Sequence, residues 1–255
     1  MSKIVQVRNV EIGAGVPKIA VSLMGTNDAE LEAEISKLKN IEFDVAEWRI
    51  DFYKDVEKIE SVKKTLLYIR KWLNNIPIIF TFRSKNEGGN KDISKEYYIK
   101  LLLEVIETKE ADLIDVELFT GDDEVEKIIN RAHENGVKVI ISNHDFEKTP
   151  SKEEIIKRIE KMIDLGADIP KIALMPKCRE DVLTLLSTTS YIDEKYSDIP
   201  IITMSMGSIG MVSRIAGELF GSALTFGAAE KSSAPGQIQA NELSTILQII
   251  HKSRK

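Results

Sequence analysis

Two patterns of apolar and polar positions alternate along most of the chain. Short apolar runs recur, and each is followed by a longer segment in which apolar residues repeat at a helical period. The strands that the short runs predict are 18–23, 44–50, 76–82, 112–118, 137–142, 168–174, 199–204 and 221–226. The helices predicted after them are 28–39, 55–74, 94–108, 121–134, 151–165, 179–195, 209–219 and 237–252. The pattern therefore predicts eight consecutive strand–helix units.

Eight such units in a chain of 255 residues match the size and order of a (β/α)8 barrel, the α/β fold also called a TIM barrel. A doubly wound parallel sheet is the alternative, because strands and helices alternate in both folds. Residues 3–12 predict a small β-hairpin with its turn near Arg8 and Asn9, and this hairpin is expected to close the bottom of the barrel. No linker rich in Pro, Gly or Ser divides the chain, so residues 1–255 are interpreted as a single catalytic barrel domain.

On several predicted strands, apolar residues occupy one face and polar residues the other. Successive side chains of a strand point to opposite faces. The face that packs against the helices has to be apolar, so the polar residues are expected inside the barrel. Five charged or titratable residues fall on this inner face: Glu47, Arg49, Arg83, His144 and Lys171. Most of them lie near the carboxyl ends of their strands, where barrel enzymes have their active sites.

Lys171 lies in the middle of the predicted buried strand 168–174, where a lysine is unusual. Ile172 and Leu174 point to one face of this strand, and Lys171 and Ala173 point to the other. Burial favours the neutral amine over the ammonium group, and a neutral amine can attack the carbonyl carbon of a ketone or aldehyde. The alternative is that Lys171 lies at a strand edge and reaches water.

His144 ends the strand that precedes that of Lys171 and points to the same inner face. An imidazole titrates in the range that suits proton transfer at neutral pH, so His144 is a candidate acid–base residue. Glu87 follows the third barrel strand and is a candidate to orient the imidazole, although an ordinary loop glutamate is the alternative. His133 and His251 lie on predicted helix surfaces and are interpreted as solvated.

Arg214 follows the seventh barrel strand, in a glycine-containing segment that leads into a helix. Such a segment suits an anion, and arginine can hold a carboxylate through two parallel hydrogen bonds. As a phosphate signal the spacing is weak, and a surface position on the helix is the alternative. The segment 229–237 contains Ser233, Gly236 and Gln237, and we expect it to close over the mouth of the barrel as a lid.

Composition excludes several classes of protein. The net charge of −6, with both signs interspersed, argues against nucleic acid as a partner. The single cysteine, Cys178, excludes an internal disulfide, and no Cys/His cluster has zinc spacing, so no zinc site is expected. The N-terminus lacks the apolar run of a signal peptide, and no apolar stretch has the length of a membrane span. We therefore expect a cytoplasmic protein with no membrane partner.

Taken together, the inward-facing residues and the segments around them resemble the type I 3-dehydroquinate dehydratases, a family of Schiff-base enzymes. The resemblance covers essentially the whole chain, with no departure at a position that the family uses. It is carried by Ala46-Glu47-Trp48-Arg49, Thr81-Phe82-Arg83, Ser142-Asn143-His144-Asp145, Lys171-Ile172-Ala173, Met204-Ser205-Met206-Gly207, Arg214, Phe226 and Ser233-Ala234-Pro235-Gly236-Gln237. Any one of these segments is a weak signal, and the set is specific.

The resemblance implies a reaction and a set of roles. Lys171 would condense with the C3 ketone of 3-dehydroquinate, and His144 would take the proton from C2 and return a proton to the departing C1 hydroxyl. Glu87 would orient His144. The residues implied to bind the substrate are Ser22, Glu47, Arg49, Arg83, Arg214, Ser233 and Gln237. The resemblance also implies a homodimer that acts in the shikimate pathway, which leads to chorismate and the aromatic amino acids, without a cofactor.

Two other functions use the same features. A class I Schiff-base aldolase of the same barrel fold also needs an inward lysine, but it would bind phosphate after the seventh and eighth strands. This chain has one arginine and few free glycines in that region. A non-catalytic barrel that serves as a scaffold would have to pair its inward charges with one another. Borohydride treatment with a carbonyl substrate distinguishes the scaffold, because it would trap nothing on Lys171.

Overall fold

The computed structural model describes residues 3–230 and 232–254, and in this part of the chain strands and helices alternate. The strands are β1 (Val5–Val7), β2 (Val10–Ile12), β3 (Lys18–Leu23), β4 (Val45–Arg49), β5 (Ile78–Thr81), β6 (Leu113–Glu117), β7 (Lys138–Asp145), β8 (Ile169–Leu174), β9 (Ile202–Ser205) and β10 (Leu224–Gly227). The helices are α1 (Asp28–Lys37), α2 (Ile59–Leu73), α3 (Lys95–Thr108), α4 (Asp122–Glu134), α5 (Lys152–Asp164), α6 (Arg179–Lys195), α7 (Val212–Ile215), α8 (Gly217–Phe220) and α9 (Ala240–Ser253).

Side-chain caps begin three of the helices. Asn27, Ser94 and Ser151 each accept a hydrogen bond from the backbone N–H three residues later, which satisfies a group that the first turn leaves unpaired. Each of these helices presents an apolar face to the strands and a charged face to solvent. Within residues 3–230 and 232–254, no helix is both long and apolar enough to cross a membrane.

Strands β3 to β10 form one sheet in which every neighbouring pair is parallel. The order is β10-β3-β4-β5-β6-β7-β8-β9, so consecutive strands are neighbours throughout. The two outer strands of this order also meet, through a parallel bridge between Ile201 and Ser222. Nearby, the backbone N–H of Ala223 donates to the Ile201 carbonyl at 2.8 Å. A doubly wound sheet has two open edges, so the prediction of a barrel is confirmed and the alternative is wrong.

The two faces of the strands belong to two apolar layers, as the alternation of the sequence predicts. The outward residues, such as Trp48, Phe80 and Ile141, pack with the apolar faces of the helices. The inward apolar residues near the start of the strands fill the lower barrel, among them Ile79 and Ile140. The upper part of the interior is left to polar side chains, and these form the site described below.

The antiparallel hairpin of β1 and β2 lies at the bottom of the barrel. Val7, Val10 and Ile12 belong to the same apolar cluster as the inward residues at the start of the barrel strands. Arg8 occupies the turn with a φ of 53°, and its side chain forms an ion pair with Asp112, just before β6. The hairpin and its position are therefore confirmed.

The structure differs from the predicted boundaries at three places that matter for the site. Strand β7 continues to Asp145 rather than ending at residue 142, because its residues 143–145 pair with residues 172–174 at the end of β8. The predicted helix 209–219 is two short helices, α7 and α8, interrupted next to Gly217, a poor helix former. The last helix begins at Ala240 rather than at residue 237, which leaves Gln237 in the preceding loop.

Candidate active site

A cavity opens at the carboxyl end of the barrel strands, at the mouth of the barrel. All five inward-facing residues of the sequence analysis line it, so the face predicted for them is confirmed. The lining residues are Glu47, Arg49, Arg83, Glu87, Gly88, His144, Phe146, Lys171, Ala173, Met204, Met206, Phe226, Ser233, Ala234 and Gln237. Six of the eight barrel strands or the segments after them contribute to this lining.

Lys171 extends from the middle of β8 into the base of this cavity and is only 3% exposed. Its Nζ donates to Oδ2 of Asp115 at 3.1 Å and lies 3.7 Å from Oε1 of Glu47. It also lies 4.6 Å from the ring centroid of Phe226, close enough for a cation–π contact. The amine therefore faces the cavity, and the two neighbouring carboxylates can stabilise a positive charge on its nitrogen.

Asp115 is a residue of the site that the sequence analysis missed. It lies on β6, is fully buried, and its Oδ1 accepts from Ser142 Oγ at 2.5 Å and from Arg83 at 2.6 Å. Burial alone would raise the pKa of Asp115, but the charges of Arg83 and Lys171 hold it well below its ordinary value. A signal was present, since Leu113, Asp115 and Glu117 alternate with Ile114 and Val116 in the same way as the polar residues of β4.

His144 and Glu87 form a hydrogen-bonded pair at the side of the cavity. His144 Nδ1 lies 2.9 Å from Glu87 Oε2, and the backbone N–H of His144 donates to the same oxygen at 2.9 Å. Glu87 ends a short 3-10 turn and is followed by Gly88 with a φ of 83°. A side chain on Gly88 would overlap the ring of Phe146, because a Cβ there would lie 2.2 Å from a ring carbon. This turn therefore needs glycine to bring Glu87 over β7.

The surroundings of the pair shift both of its pKa values. Burial, followed by the charges of Arg83 and Lys171, lowers the pKa of His144 well below its ordinary value. Burial raises the pKa of Glu87 to about 8, against the opposing charge of Arg83. Once Glu87 is ionised it can only accept, so Nδ1 of His144 is the donor and Nε2 carries a free lone pair. An imidazole in this form is a base.

Arg83 lies below the pair and connects it to the acids of the barrel interior. Its guanidinium donates to Glu117 at 2.9 Å, to Ser142 at 3.0 Å and to Glu87 at 3.3 Å, besides its bond to Asp115. With this many protein partners and 3% exposure, Arg83 is held rigidly. Its charge compensates the buried carboxylates, which would otherwise repel one another.

The opposite wall of the cavity carries Glu47 and Arg49 from β4. Glu47 accepts from Thr81 Oγ1 at 3.0 Å and from Ser22 Oγ at 2.6 Å. Arg49 is held by two hydrogen bonds to Asp51, of 2.8 and 2.9 Å. Ser22, which was predicted to bind substrate, does not line the cavity. Its hydroxyl instead donates to Glu47, which does.

Arg214 lies in α7 and is only 1% exposed. The alternative, a surface position on the helix, is therefore wrong. Its Nη2 donates to the backbone carbonyl of Pro235 at 3.1 Å, and its Nη1 lies 3.7 Å from the sulfur of Met204. Burial lowers the pKa of Arg214 to about 10, so it remains a cation at neutral pH. In the described ranges no carboxylate pairs with this guanidinium, and its Nε has no hydrogen-bond partner. A buried cation without a counter-ion attracts an anion.

The segment 229–237, predicted to be a lid, lies across the mouth of the cavity; Lys231 within it falls outside the described residues. The backbone N–H of Ser233 donates to Gln237 Oε1 at 2.8 Å, and Gln237 Nε2 donates back to Ser233 Oγ at 2.9 Å. Ser22 Oγ and Ser233 Oγ lie 3.0 Å apart, a hydrogen-bond distance that ties the segment to β3. These contacts hold both predicted binding residues of the segment against the cavity.

The other two histidines and the single cysteine, none of which was assigned to the site, lie away from the cavity. His133 is on α4, and its Nε2 lies 2.8 Å from Asp168 Oδ2. His251 is on α9, and its Nδ1 lies 2.7 Å from Glu218 Oε1. Cys178 is exposed at the start of α6. The interpretation of the two histidines as solvated is correct only in part, since both make an ion pair or hydrogen bond with a carboxylate.

Comparison with known proteins shows to which family the chain belongs. The sequence model of one family, described as type I 3-dehydroquinase, matches residues 19–254. The chain belongs to this family. A 3-dehydroquinate dehydratase of Clostridium botulinum (strain Eklund 17B / Type B) is 58% identical over 253 residues, which are 99% of this chain and 100% of that protein. As a member of the type I 3-dehydroquinase family, the chain is a hydro-lyase.

Solved structures of the type I 3-dehydroquinase family have the same architecture. A crystal structure of type I 3-dehydroquinate dehydratase from Clostridium difficile, with covalent modified comenic acid, superimposes with a TM-score of 0.96. It is 52% identical to this chain and covers 99% of it, with 100% of that chain matched. The 3-dehydroquinate dehydratase of Enterococcus faecalis has a TM-score of 0.90 at 40% identity and covers 96% of this chain, with 98% of that chain matched.

Proposed function

We propose that this chain dehydrates 3-dehydroquinate to 3-dehydroshikimate through an imine on Lys171. The observation that carries the proposal is the buried Lys171 Nζ, 3.1 Å from Asp115, in the cavity that His144 also lines. Membership of the type I 3-dehydroquinase family favours this reaction over the class I aldolase alternative. The covalent modified comenic acid of the C. difficile relative supports a covalent step at such a site.

The first stage forms the imine. The amine of Lys171 attacks the C3 carbonyl carbon, and loss of water gives a protonated imine that withdraws electrons from C2. The positive nitrogen remains next to Asp115 and Glu47, and Asp115 carries a negative charge at neutral pH. These two carboxylates stabilise the cation that the reaction needs, at a lysine that is only 3% exposed.

The second stage is the elimination. With Glu87 ionised and accepting from Nδ1, His144 takes a proton from C2, and the C2–H electron pair forms an enamine. The enamine expels the C1 hydroxyl, to which His144 returns the proton, so one molecule of water leaves. Because one imidazole takes and returns the proton, both events occur on the same face of the ring and the elimination is syn. Water then hydrolyses the imine and releases 3-dehydroshikimate from Lys171.

The remaining predicted residues hold the substrate. Arg214 is proposed to bind its carboxylate, with Ser233 and Gln237 from the segment 229–237 assisting. Glu47, Arg49 and Arg83 are proposed to contact the ring hydroxyls, with Ser22 acting on Glu47. The buried guanidinium of Arg214, which lacks a counter-ion among the described residues, supports the first of these roles.

The reaction is tested by incubating the purified protein with 3-dehydroquinate. Dehydration creates a double bond conjugated to the ketone, so we expect ultraviolet absorbance to rise with time. Borohydride added during turnover should add a reduced substrate adduct to the peptide that contains Lys171, as measured by mass spectrometry. Absence of both signals in folded protein would contradict the proposal. The single barrel domain, the homodimer, the role in the shikimate pathway and the cytoplasmic location stay predictions.

Arg214→Lys is expected to weaken substrate binding although the positive charge remains. Lysine lacks the planar fork with which arginine holds a carboxylate. Loss of one charge-assisted hydrogen bond should lower kcat/KM by an amount equivalent to about 1–3 kcal/mol of binding free energy. The measurement is steady-state kinetics of Arg214→Lys and Arg214→Ala. Values equal to wild type in both variants would mean that the carboxylate binds elsewhere.

The segment 229–237 is expected to become more ordered when substrate is bound. Closure excludes water, which would otherwise hydrolyse the imine before elimination. Hydrogen exchange of the segment should therefore be slower in protein carrying a borohydride-trapped adduct than in free protein. The double variant Ser233→Ala/Gln237→Ala should lower kcat/KM, by about 0.5–1.5 kcal/mol for each hydrogen bond lost to the substrate. Equal exchange in both states, together with unchanged kinetics, would show that the segment is an ordinary surface loop.

A further inference from the structure

A chain of polar contacts leads from the outer helix layer to the His144–Glu87 pair. Arg158 on α5 donates from Nη1 to the side-chain oxygen of Asn143 at 2.9 Å. The amide nitrogen of Asn143 in turn donates to Glu87 Oε1 at 3.2 Å. Asn143 is only 3% exposed, and the side chain of Arg158 is 16% exposed.

The amide of Asn143 can make these two contacts in one orientation only. An arginine side chain donates and cannot accept, so it must face the carbonyl oxygen of the amide. The NH2 group is then turned towards Glu87. In the opposite orientation the amide oxygen would face a carboxylate, and the NH2 group would face a guanidinium, so both contacts would be repulsive.

The contact of Asn143 differs from those of the other donors to Glu87. The backbone and side chain of His144 and the guanidinium of Arg83 all approach Oε2. Within the described residues, Asn143 is the side chain bonded to Oε1. It thus fixes the rotation of the carboxylate and stabilises its ionised form, which is the form that leaves His144 free to act as a base.

We propose that Asn143 and Arg158 are positioning residues for the acid–base pair: Arg158 orients the Asn143 amide, and the amide holds Glu87 in the ionised state that His144 requires. This inference rests on the proposed function, because it concerns the base of that reaction. Neither residue lines the cavity, so the roles are exerted through Glu87 alone.

Several other charged groups lie near Glu87, His144 and Arg158. Glu87 faces the charges of Arg83 and Glu117 in addition to His144. The charges that act on His144 are those of Arg83, Lys171, Asp115 and Arg49. Arg158 also pairs with Glu154 at 2.8 Å on its own helix, lies 3.8 Å from Asp145 on β7, and stacks near the ring of Phe119 at 5.8 Å. Substitution of Arg158 removes these three contacts together with the one to Asn143, so control variants are needed.

The test is the dependence of kcat on pH in Arg158→Met, which keeps an apolar stem of similar length. Because kcat reports the complex with substrate, Lys171 is already committed to the imine and does not contribute to the profile. In wild type we expect the rate to rise with pH as Glu87 ionises. Loss of the oriented donor removes a contact that lowers the pKa of Glu87, so the acid limb should move upward by about one pH unit, with about tenfold lower kcat on the acid side. Above the limb, kcat should approach wild type.

Two further variants separate positioning from general loss of structure. Arg158→Lys retains a donor to Asn143 and is expected to restore the wild-type limb. Glu154→Gln removes the charge partner of Arg158 but leaves the bond to Asn143, so its profile should equal that of wild type. A shift in Glu154→Gln as large as that in Arg158→Met would overturn the proposal. If Arg158→Met does not fold, Asn143→Leu replaces it, with the same upward shift expected.

Failure of the positioning role can be distinguished from failure of the proposed dehydratase function. If wild type does not dehydrate 3-dehydroquinate, the proposed function is wrong. If wild type is active and the acid limb of folded Arg158→Met or Asn143→Leu coincides with it, only the positioning role is wrong. Borohydride trapping on Lys171 should be equal in all these variants, because imine formation does not use Glu87.

Discussion

Lys171→Ala is expected to have no measurable dehydratase activity and to give no adduct with borohydride and 3-dehydroquinate. The amine is the only nucleophile in the proposed reaction, and no alternative route to an electron sink at C3 exists without it. The neighbouring carboxylates Asp115 and Glu47 cannot replace it, since a carboxylate cannot form an imine and its negative charge disfavours a carbanion at C2. The measurement is turnover by ultraviolet absorbance and adduct formation by mass spectrometry.

The control for this variant has to separate loss of chemistry from loss of fold. Removing a buried cation leaves Asp115 with Arg83 as its main charge partner, so some loss of stability is expected. Lys171→Met fills more of the vacated space and should be equally inactive while unfolding at a higher temperature than Lys171→Ala. Lys161→Ala, at a half-buried position on α5 outside the cavity, should retain wild-type activity. Dehydration by folded Lys171→Met at a rate near wild type would disprove the imine mechanism.

His144→Ala should form the imine but stall before elimination. The nucleophile survives, so borohydride should still attach the substrate to Lys171. Loss of a general base typically costs about 10²–10⁴ in rate, and His144 is proposed to act twice, first as base and then as acid. We therefore expect kcat to fall to at least the lower end of this range while trapping remains efficient.

His133→Ala is the matched control, because His133 also contacts a carboxylate but lies on the surface of α4. Its kcat should equal that of wild type. Near-normal turnover in His144→Ala would transfer the role of base to another group, and Glu87 would be the first candidate. Loss of both turnover and trapping would instead indicate that His144 is needed for imine formation itself.

Alternation along single strands predicted the inner face correctly for five of the side chains that enter the barrel, although Asp115 was missed. Glu47, Arg49, Arg83, His144 and Lys171 were all assigned to the inner face, and all five line the cavity. The direction of a side chain on a strand is a local property, since it depends only on the period of two. The barrel itself followed from the number and order of strand–helix units, although the sequence left the doubly wound sheet open.

Whether the sheet closes, and which inner residues meet, was decided only by the tertiary structure. The bridge from Ile201 to Ser222 closes the barrel. Asp115 reaches Lys171 across 56 residues of sequence, and Glu87 reaches His144 across 57. The register between strands and the rotation of the Gly88 turn determine these distances, and both result from packing over the whole barrel. A pattern along one strand specifies a face, and it carries no information about the partner on another strand.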